Sequence, residues 1–313
     1  MKITLKNVRE MNFVGVHNGT FHADDVFSVA FLRLINPNIK VIRSRLKDEL
    51  LKCDILVDVS LPNEHSKFDH HSDDKQLRIN GIPYSGFGLL WREFGYEFLS
   101  ERIKDGEDIK DVFQSIDESL VVGIDAADNG YIPLRNEFLK DKEFNDDYSM
   151  YGISQIINDF NPPYDSDKSI DDCFDDAVLM ASTVLKNIIN KRISACLAKE
   201  AIKTYYEAMK DGVMFMDKSM PWQKSLLEID KDKVVKIVVY PNRTSGYNLQ
   251  AVPVSVGSFV NRFTFPKEWC GKKDDELVHI TGINGFNFCH AGGFLCVVDT
   301  YETACEIIKK ILK

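Results

Sequence analysis

Short apolar runs along the chain alternate with longer stretches whose apolar positions recur at helical spacing. FVGVHN is an apolar run that ends in polar residues, which predicts a short buried strand. ADDVFSVAFLRLI follows with apolar positions dense enough for a helix buried on most sides, and Asp24 or Asp25 can cap its start. NIKVIRSR predicts a second strand, LKDELLKC a short helix and DILVDVS a third strand. A polar loop carrying KFDHHSDDKQLRINGIPYSG comes next. FGLLWREFGYEFL then sets Phe87, Leu90, Trp91, Phe94 and Phe98 at helical spacing, and LVVGIDAADNG reads as a further strand and turn. Alternation of strand and helix implies right-handed βαβ crossovers and a mostly parallel sheet.

Beyond residue 131 the pattern changes. Residues 132–175 are rich in Asp, Asn, Pro and Tyr and read as loops with a short helix around SQIINDF. Residues 171–210 carry a long helical pattern with room for a break near its middle. VMFMD, VVKIVVYPN and LQAVPVS then predict strands, and the chain closes with HAGGFLCVVD and a helix over YETACEIIKKILK. The expected organisation is an α/β domain over 1–170, a helical connector over 171–215, and a smaller α/β domain over 216–313. A length of 313 residues suits about two domains. With 44% hydrophobic and 28% charged residues, the chain has the make-up of a folded protein rather than a disordered one.

Composition removes several classes of function. No apolar run approaches the roughly 18–20 residues that span a bilayer, and the N-terminal segment lacks the apolar core of a secretory signal, so no membrane partner is expected. The seven cysteines are odd in number, irregularly spaced and without a CxxC. Reduced thiols and a cytoplasmic location follow as expectations, with an organelle or the nucleus also compatible. A net charge of -9 argues against a protein that coats nucleic acid. It leaves room for a nucleic-acid enzyme whose metal site supplies the missing positive charge. The P-loop, the dinucleotide-binding fingerprint and the GxSxG elbow are all missing from the sequence.

The sharpest signal is the placing of the histidines. Of seven, His17, His22, His65, His70 and His71 crowd the N-terminal part of the chain. His17, His22, His70 and His71 each fall at or just beyond a predicted strand, with Asp24 and Asp69 beside them; Asp58 and Asp125 end two further apolar runs. In a parallel sheet these C-terminal strand ends point to one edge, where open α/β folds bind ligands. A lone histidine at a strand end is usually a surface or capping residue, and an aspartate there often only caps the next helix. The joint occurrence of HNGTFHAD, LVDVS, FDHH and GIDAADNG favours a metal site instead. Mixed imidazole and carboxylate donors suit Mn²⁺, Fe²⁺ or Zn²⁺ ahead of Ca²⁺. So many donors exceed the needs of one tetrahedral zinc, and two ions about 4 Å apart fit the number better. The chemistry suggested is hydrolysis of a phosphate ester or anhydride.

These same segments resemble the DHH phosphoesterase superfamily, and the wording HNGTFHADD, VDVS, FDHH and IDAADNG resembles its MYG1 (UPF0160) branch. YPNRTSGYNLQAVP, PKEWCGKKDDEL and FCHAGGF extend the resemblance over nearly the whole chain. It implies that His17, His22, Asp24, Asp58, His70 and Asp125 are metal ligands, with Asp58 bridging. His22 stands near where most of the superfamily has an aspartate, which favours softer ions over Mg²⁺. The resemblance further implies that His71 faces substrate and protonates a leaving oxygen, and that Asp69 orients it. Asp128 and Asn129 would support the site from close by, and His65 would be structural or on the surface. Two divalent ions are expected, Mn²⁺ first, with Zn²⁺, Fe²⁺ and Mg²⁺ as alternatives.

In the second domain the resemblance points to His290, Gly292 and Gly293 as contacts for a substrate phosphate, since glycines allow close backbone approach. Arg243 is a candidate phosphate clamp, and Trp269 and Tyr247 are candidates to stack on a base, although the core is the commoner place for such residues. The implied activity is 3′-to-5′ exonuclease action on RNA or short oligonucleotides by a metal-bridging water, in a chain that could pair as a homodimer. The alternatives are hydrolysis of a small phosphorylated substrate (pyrophosphate, a cyclic dinucleotide or a phosphoadenosine compound) and a metal-dependent nucleotide sensor without turnover. For pyrophosphate, Arg243, Arg262, Lys272 and Lys273 offer the cations needed.

Overall fold

Three of the predicted strands form one parallel sheet. In the computed structural model, residues 3–61, 67–71, 75–131 and 151–312 are described, and the chain divides into units at 1–193 and 194–313. The first unit begins with a short helix, α1 (Leu5–Glu10), and then β1 (Phe13–Val16). α2 (Ala23–Ile35), β2 (Lys40–Arg43), α3 (Lys47–Leu50) and β3 (Ile55–Leu56) follow. The order is β2-β1-β3, with both neighbours parallel to β1. Successive strands therefore go to opposite sides of β1, and a crevice opens beyond the C-terminal ends of β1 and β3. β3 is only two residues long, but its line continues: Val57 bridges Phe68 in parallel, and Asp58 N donates to Phe68 O at 3.0 Å. That bridge sets the loop after β3 beside the segment carrying Asp69, His70 and His71.

The helices of this unit are joined by aromatic packing. α4 (Gly86–Ser100) meets α2, with the Phe31 and Trp91 rings 5.4 Å apart and Phe27 and Phe87 5.6 Å apart. Phe98 joins through Phe31 at 5.5 Å. α5 (Gly106–Ile116) stacks Phe113 on Trp91 at 5.3 Å.

LVVGIDAADNG, expected as a strand and turn, is helical. α5 runs without a break into a π-helical turn, Asp117–Val121, and then into α6 (Val122–Asp128). Ile109, Val112, Ile116, Leu120 and Ile124 are all buried along this line, at spacings of three and four residues. The apolar run continues a helical stripe begun upstream, and a short apolar run cannot by itself distinguish strand from helix. The start of α2 also differs from expectation. Its N-cap is His22, so Asp24 and Asp25 lie inside the first turn. α7 (Ile153–Asn158) and α8 (Ile170–Leu197) follow, and the expected break in the long helix falls at Ala198, before α9 (Lys199–Glu207).

The second unit holds β4 (Val213–Phe215), α10 (Gln223–Ile229), β5 (Ile237–Pro241) and β6 (Tyr247–Ala251), then α11 (Asp275–Thr281), β7 (Phe286–Cys289), β8 (Leu295–Val298) and α12 (Tyr301–Ile311). Its mixed sheet has the order β4-β5-β6-β8-β7, parallel only between β4 and β5. Leu249, Phe265, Phe286, Cys296 and Ile307 form its core. Trp269 belongs to that core at 3% exposure, so it is not available to stack on a base. Tyr247, half-buried, packs edge-on to Tyr301. Among the described residues no helix is long and apolar enough to cross a membrane.

Candidate metal centre

The crevice beyond β1 and β3 gathers imidazoles and carboxylates from four segments. His17 follows β1 directly. Its Nδ1 lies 3.0 Å from the Asn18 carbonyl, an acceptor only, so this nitrogen carries the proton. Its Nε2 is left facing Asp58 Oδ2 at 3.2 Å and Asp25 Oδ2 at 3.4 Å. Asp25 is fixed by its other oxygen, which accepts from the His22 and Val26 amides at 2.9 and 2.8 Å. Asp58 turns out of the strand with φ +55°, a left-handed conformation that aspartate tolerates better than most residues. The loop from His17 to His22 is tied down from outside. Arg43 Nη2 donates to Gly19 O at 2.6 Å, and Asn161 both accepts from Phe21 N and donates to Phe21 O at 3.0 Å.

The FDHH segment faces this group. His70 Nδ1 stands 3.3 Å from Asp58 Oδ1 and 4.0 Å from Asp24 Oδ2, while Nε2 stands 2.8 Å from Asp128 Oδ2. His71, more than half exposed, has Nδ1 2.8 Å from Asp69 Oδ1, and Ser60 Oγ donates to Asp69 Oδ2 at 2.5 Å. Three groups have donor atoms close enough to share an ion: His17, Asp25 and Asp58; Asp58, Asp69, His70 and His71; and His22, Asp24 and Asp128. Asp58 is common to the first two.

The polar atoms in this crevice fit a cation. Both oxygens of Asp24, Asp25 Oδ2, Asp58 Oδ1 and His70 Nδ1 are buried without a hydrogen bond. Buried polar groups of native proteins are normally satisfied, and unpaired buried charge is costly. Burial, with Asp58 and Asp128 nearby, pushes the Asp24 carboxyl well above the ordinary carboxylate range. Burial also raises Asp25, against the pull of His17, to about 7. Cations placed among these oxygens would satisfy the orphaned atoms and hold the carboxyls ionised. At the rim the balance is different. Burial opposes the charge on Asp69, but His71 and Ser60 outweigh it and lower this carboxyl to about 2. The hydrogen bond to Asp69 raises His71 above the usual imidazole range.

Asp125 is not among these donors. Its Oδ1 accepts from the Ser85 amide at 3.0 Å and hydroxyl at 2.6 Å, and its Oδ2 from Arg78 Nε at 2.5 Å. Arg78 also grips Asp117 with both terminal nitrogens, at 2.6 and 2.9 Å. Gly88 makes room for this network, since a Cβ there would lie 2.3 Å from Asp125 Oδ1. Asp125 is thus an anchor for α6, and Asp128, later on the same helix, reaches the crevice. Asn129 closes α6, its Nδ2 donating to the carbonyls of Pro83 and Asp125 at 3.3 and 2.9 Å. Asp25 is the donor that sequence reasoning missed, having been weighed only as a cap. His65 lies outside the described residues.

The expected substrate contacts of the second unit stand on its own sheet. His290, Gly292 and Gly293 form the turn between β7 and β8, where Gly293 N donates to His290 O at 2.8 Å and Gly292 N to His290 Nδ1 at 3.0 Å. Gly293 has φ +62°, and a Cβ there would meet Thr264 Cγ2 at 2.8 Å. Arg243 is exposed. Arg262 is not a free cation: its side chain is 6% exposed and paired with Asp230. Lys272 pairs with Glu276.

The family described as "Uncharacterised protein family (UPF0160)", the MYG1 exonuclease family, matches residues 13–312. The chain is 31% identical to the MYG1 protein of Schizosaccharomyces pombe over 96% of this chain and 97% of that one. It is 26% identical to the MYG1 exonuclease of Rattus norvegicus and 25% identical to that of Homo sapiens, over 96% of this chain and 84% and 85% of theirs. No solved structure matches it.

Proposed function

Because the chain belongs to the MYG1 (UPF0160) family, we propose that it is a metal-dependent phosphodiester hydrolase of the DHH superfamily, acting as a 3′-to-5′ exonuclease on RNA or short oligonucleotides. Relatives named exonucleases support the reaction class. The observation that carries the metal dependence is the crevice itself, where Asp58 is shared between two donor groups and buried oxygens lack partners.

Two divalent ions, Mn²⁺ first for this donor set, would offset phosphate charge and make a water acidic enough to attack at neutral pH. The protein supplies the rest. His17, Asp25 and Asp58 form one set of donors, His22, Asp24 and Asp128 another, and His70 approaches both Asp58 and Asp128. Asp69 engages Nδ1 of His71 and raises its pKa, which favours the protonated ring, and the ring's exposure lets Nε2 protonate the departing oxygen. Asp69 stays anionic under Ser60 and so fixes the ring. No covalent intermediate on the chain is required.

The test is a 5′-labelled oligoribonucleotide with Mn²⁺, with pyrophosphate in a parallel tube. A ladder shortening from the 3′ end and abolished by chelation is expected. An intact oligonucleotide from fully metal-loaded protein would overturn the exonuclease reading, and phosphate release from pyrophosphate would redirect it to small substrates. His71→Ala is expected to lower kcat by about 10²–10⁴-fold, the usual contribution of a positioned acid, with metal content retained. Loss of metal in that variant would assign His71 to the ligands instead.

A further inference from the structure

We infer that the cleft between α6 and α7 receives the nucleoside of the nucleotide whose phosphate lies at the metal centre. This inference rests on the proposed function and names the part of the substrate that the first unit grips. The cleft has a volume of 380 Å³, and His22 and Asp128 of the third donor group are among its lining residues. It is therefore continuous with the metal centre.

Its chemistry is that of a pocket for a neutral, partly apolar group. Ala127 of α6, with Ile124 buried beneath it, gives an apolar floor, and Ser154, Gln155 and Asn158 of α7 give a polar wall. Among the described residues neither Lys nor Arg lines it, and Asp128 would repel a phosphate that lacked cations beside it. The cleft is thus poorly made for a second anion. A base can lie on the floor while the wall reaches base edges and sugar hydroxyls, the groups by which single-stranded RNA is recognised. The wall is free to do so. Among the described residues, the Ser154 hydroxyl and the Asn158 side-chain amide have no protein partner. Gln155 spends its Oε1 on the Gly152 amide and keeps its Nε2 donors. The size is at the low end for ligand pockets, which run from about 300 to 1,000 Å³, and suits one nucleoside rather than two.

The cleft is also held in register with the metal centre. Asn161, just past α7, clasps both backbone groups of Phe21 and donates to Asn158 O at 3.0 Å. Phe21 sits in the loop between His17 and His22, so that loop locates α7 as well as the metal donors. A nucleoside in the cleft would accordingly keep a fixed distance from the scissile phosphate, whereas pyrophosphate has no group to fill it.

The test is calorimetric titration of the Mn²⁺-loaded full chain with each of the four nucleoside 5′-monophosphates and with inorganic phosphate. At least one nucleotide is expected to bind 10-fold or more tightly than phosphate. Ser154→Phe, which puts a ring into the cleft, is expected to bring that ratio to about one, and Asn158→Ala to reduce it several-fold. Circular dichroism and metal analysis establish that the variants fold and load. Equal binding of nucleotide and phosphate, absence of binding, or a ratio untouched in both folded variants would overturn the inference. The oligonucleotide assay is read separately. A Ser154-dependent nucleotide preference without hydrolysis would retain the cleft and discard the exonuclease, while hydrolysis by a protein with no such preference would do the reverse.

Discussion

Asp58→Asn is expected to reduce turnover by about 10³-fold or more and to lower bound manganese, with the fold intact. Asp58 belongs to two donor groups at once and approaches His17, His70 and His71 at 3.2–3.3 Å. Removing its charge weakens both groups together, and Lewis-acid stabilisation is worth several kcal/mol, each 1.36 kcal/mol being tenfold in rate. Asparagine is the informative replacement because it keeps the shape and tolerates φ +55°. Asp58→Ala should show the same kinetic defect but adds left-handed backbone strain of about 1–2 kcal/mol.

Stability should move the other way. Without cations, Asp58 raises the carboxyl pKa of both Asp24 and Asp25. Neutralising it relieves like-charge repulsion, so the metal-free Asn variant is expected to melt no lower than the metal-free parent. Such a trade of stability for chemistry is common at active sites. Near-normal turnover in Asp58→Asn would sink the shared-carboxylate mechanism. Full manganese content with no turnover would make Asp58 a catalytic group rather than a ligand.

Much of this site was legible in the sequence, for a topological reason. A parallel sheet delivers the residue after each strand to one edge, so His17 and Asp58 could be paired from strand order alone. The FDHH segment joined them through the Val57–Phe68 bridge that prolongs β3. What was not legible depended on helix phase and on long-range partners. Asp24 and Asp25 are successive residues of one helical turn, about 100° apart, yet both bring donor atoms to the crevice, which sequence cannot show until the N-cap is known. Asp125 and Asp128 pose the same problem at the end of α6. There the answer lay in Arg78, 47 residues away in sequence, which claims Asp125. The helical stripe from Ile109 to Ile124 was the signal available for this error, and reading LVVGIDAADNG in isolation concealed it. Trp269 and Arg262 could not be decided by residue type for a related reason: an aromatic or a cation that suits a nucleic acid suits a core, the commoner expectation for Trp269, or a buried ion pair equally well.

The Arg262–Asp230 pair shows how costly such a commitment would be to undo. Asp230 ends α10 with a fully buried side chain. It accepts from the Val234 and Val235 amides at 2.9 Å each and from Arg262 Nη1 at 2.5 Å, and Arg262 Nη1 also donates to Val235 O at 3.0 Å. Asp230→Ala removes the carboxylate and strands a buried guanidinium, for which the expected loss is about 3–5 kcal/mol in urea unfolding of the full chain. The double variant Asp230→Ala with Arg262→Met should lose less than Asp230→Ala alone, because no charge is then left behind. A loss below 1 kcal/mol in the single variant would show that water reaches the pair. The pH dependence has a definite sign. Burial opposes ionisation of Asp230, but the two amides and Arg262 outweigh it and hold the carboxyl below its ordinary range. Its contribution is therefore complete above the unfolded value of about 3.9 and is lost as the pH falls through the lower folded value. Wild-type protein should weaken on acidification through that window, and Asp230→Asn, less stable at neutral pH, should show a shallower acid dependence there.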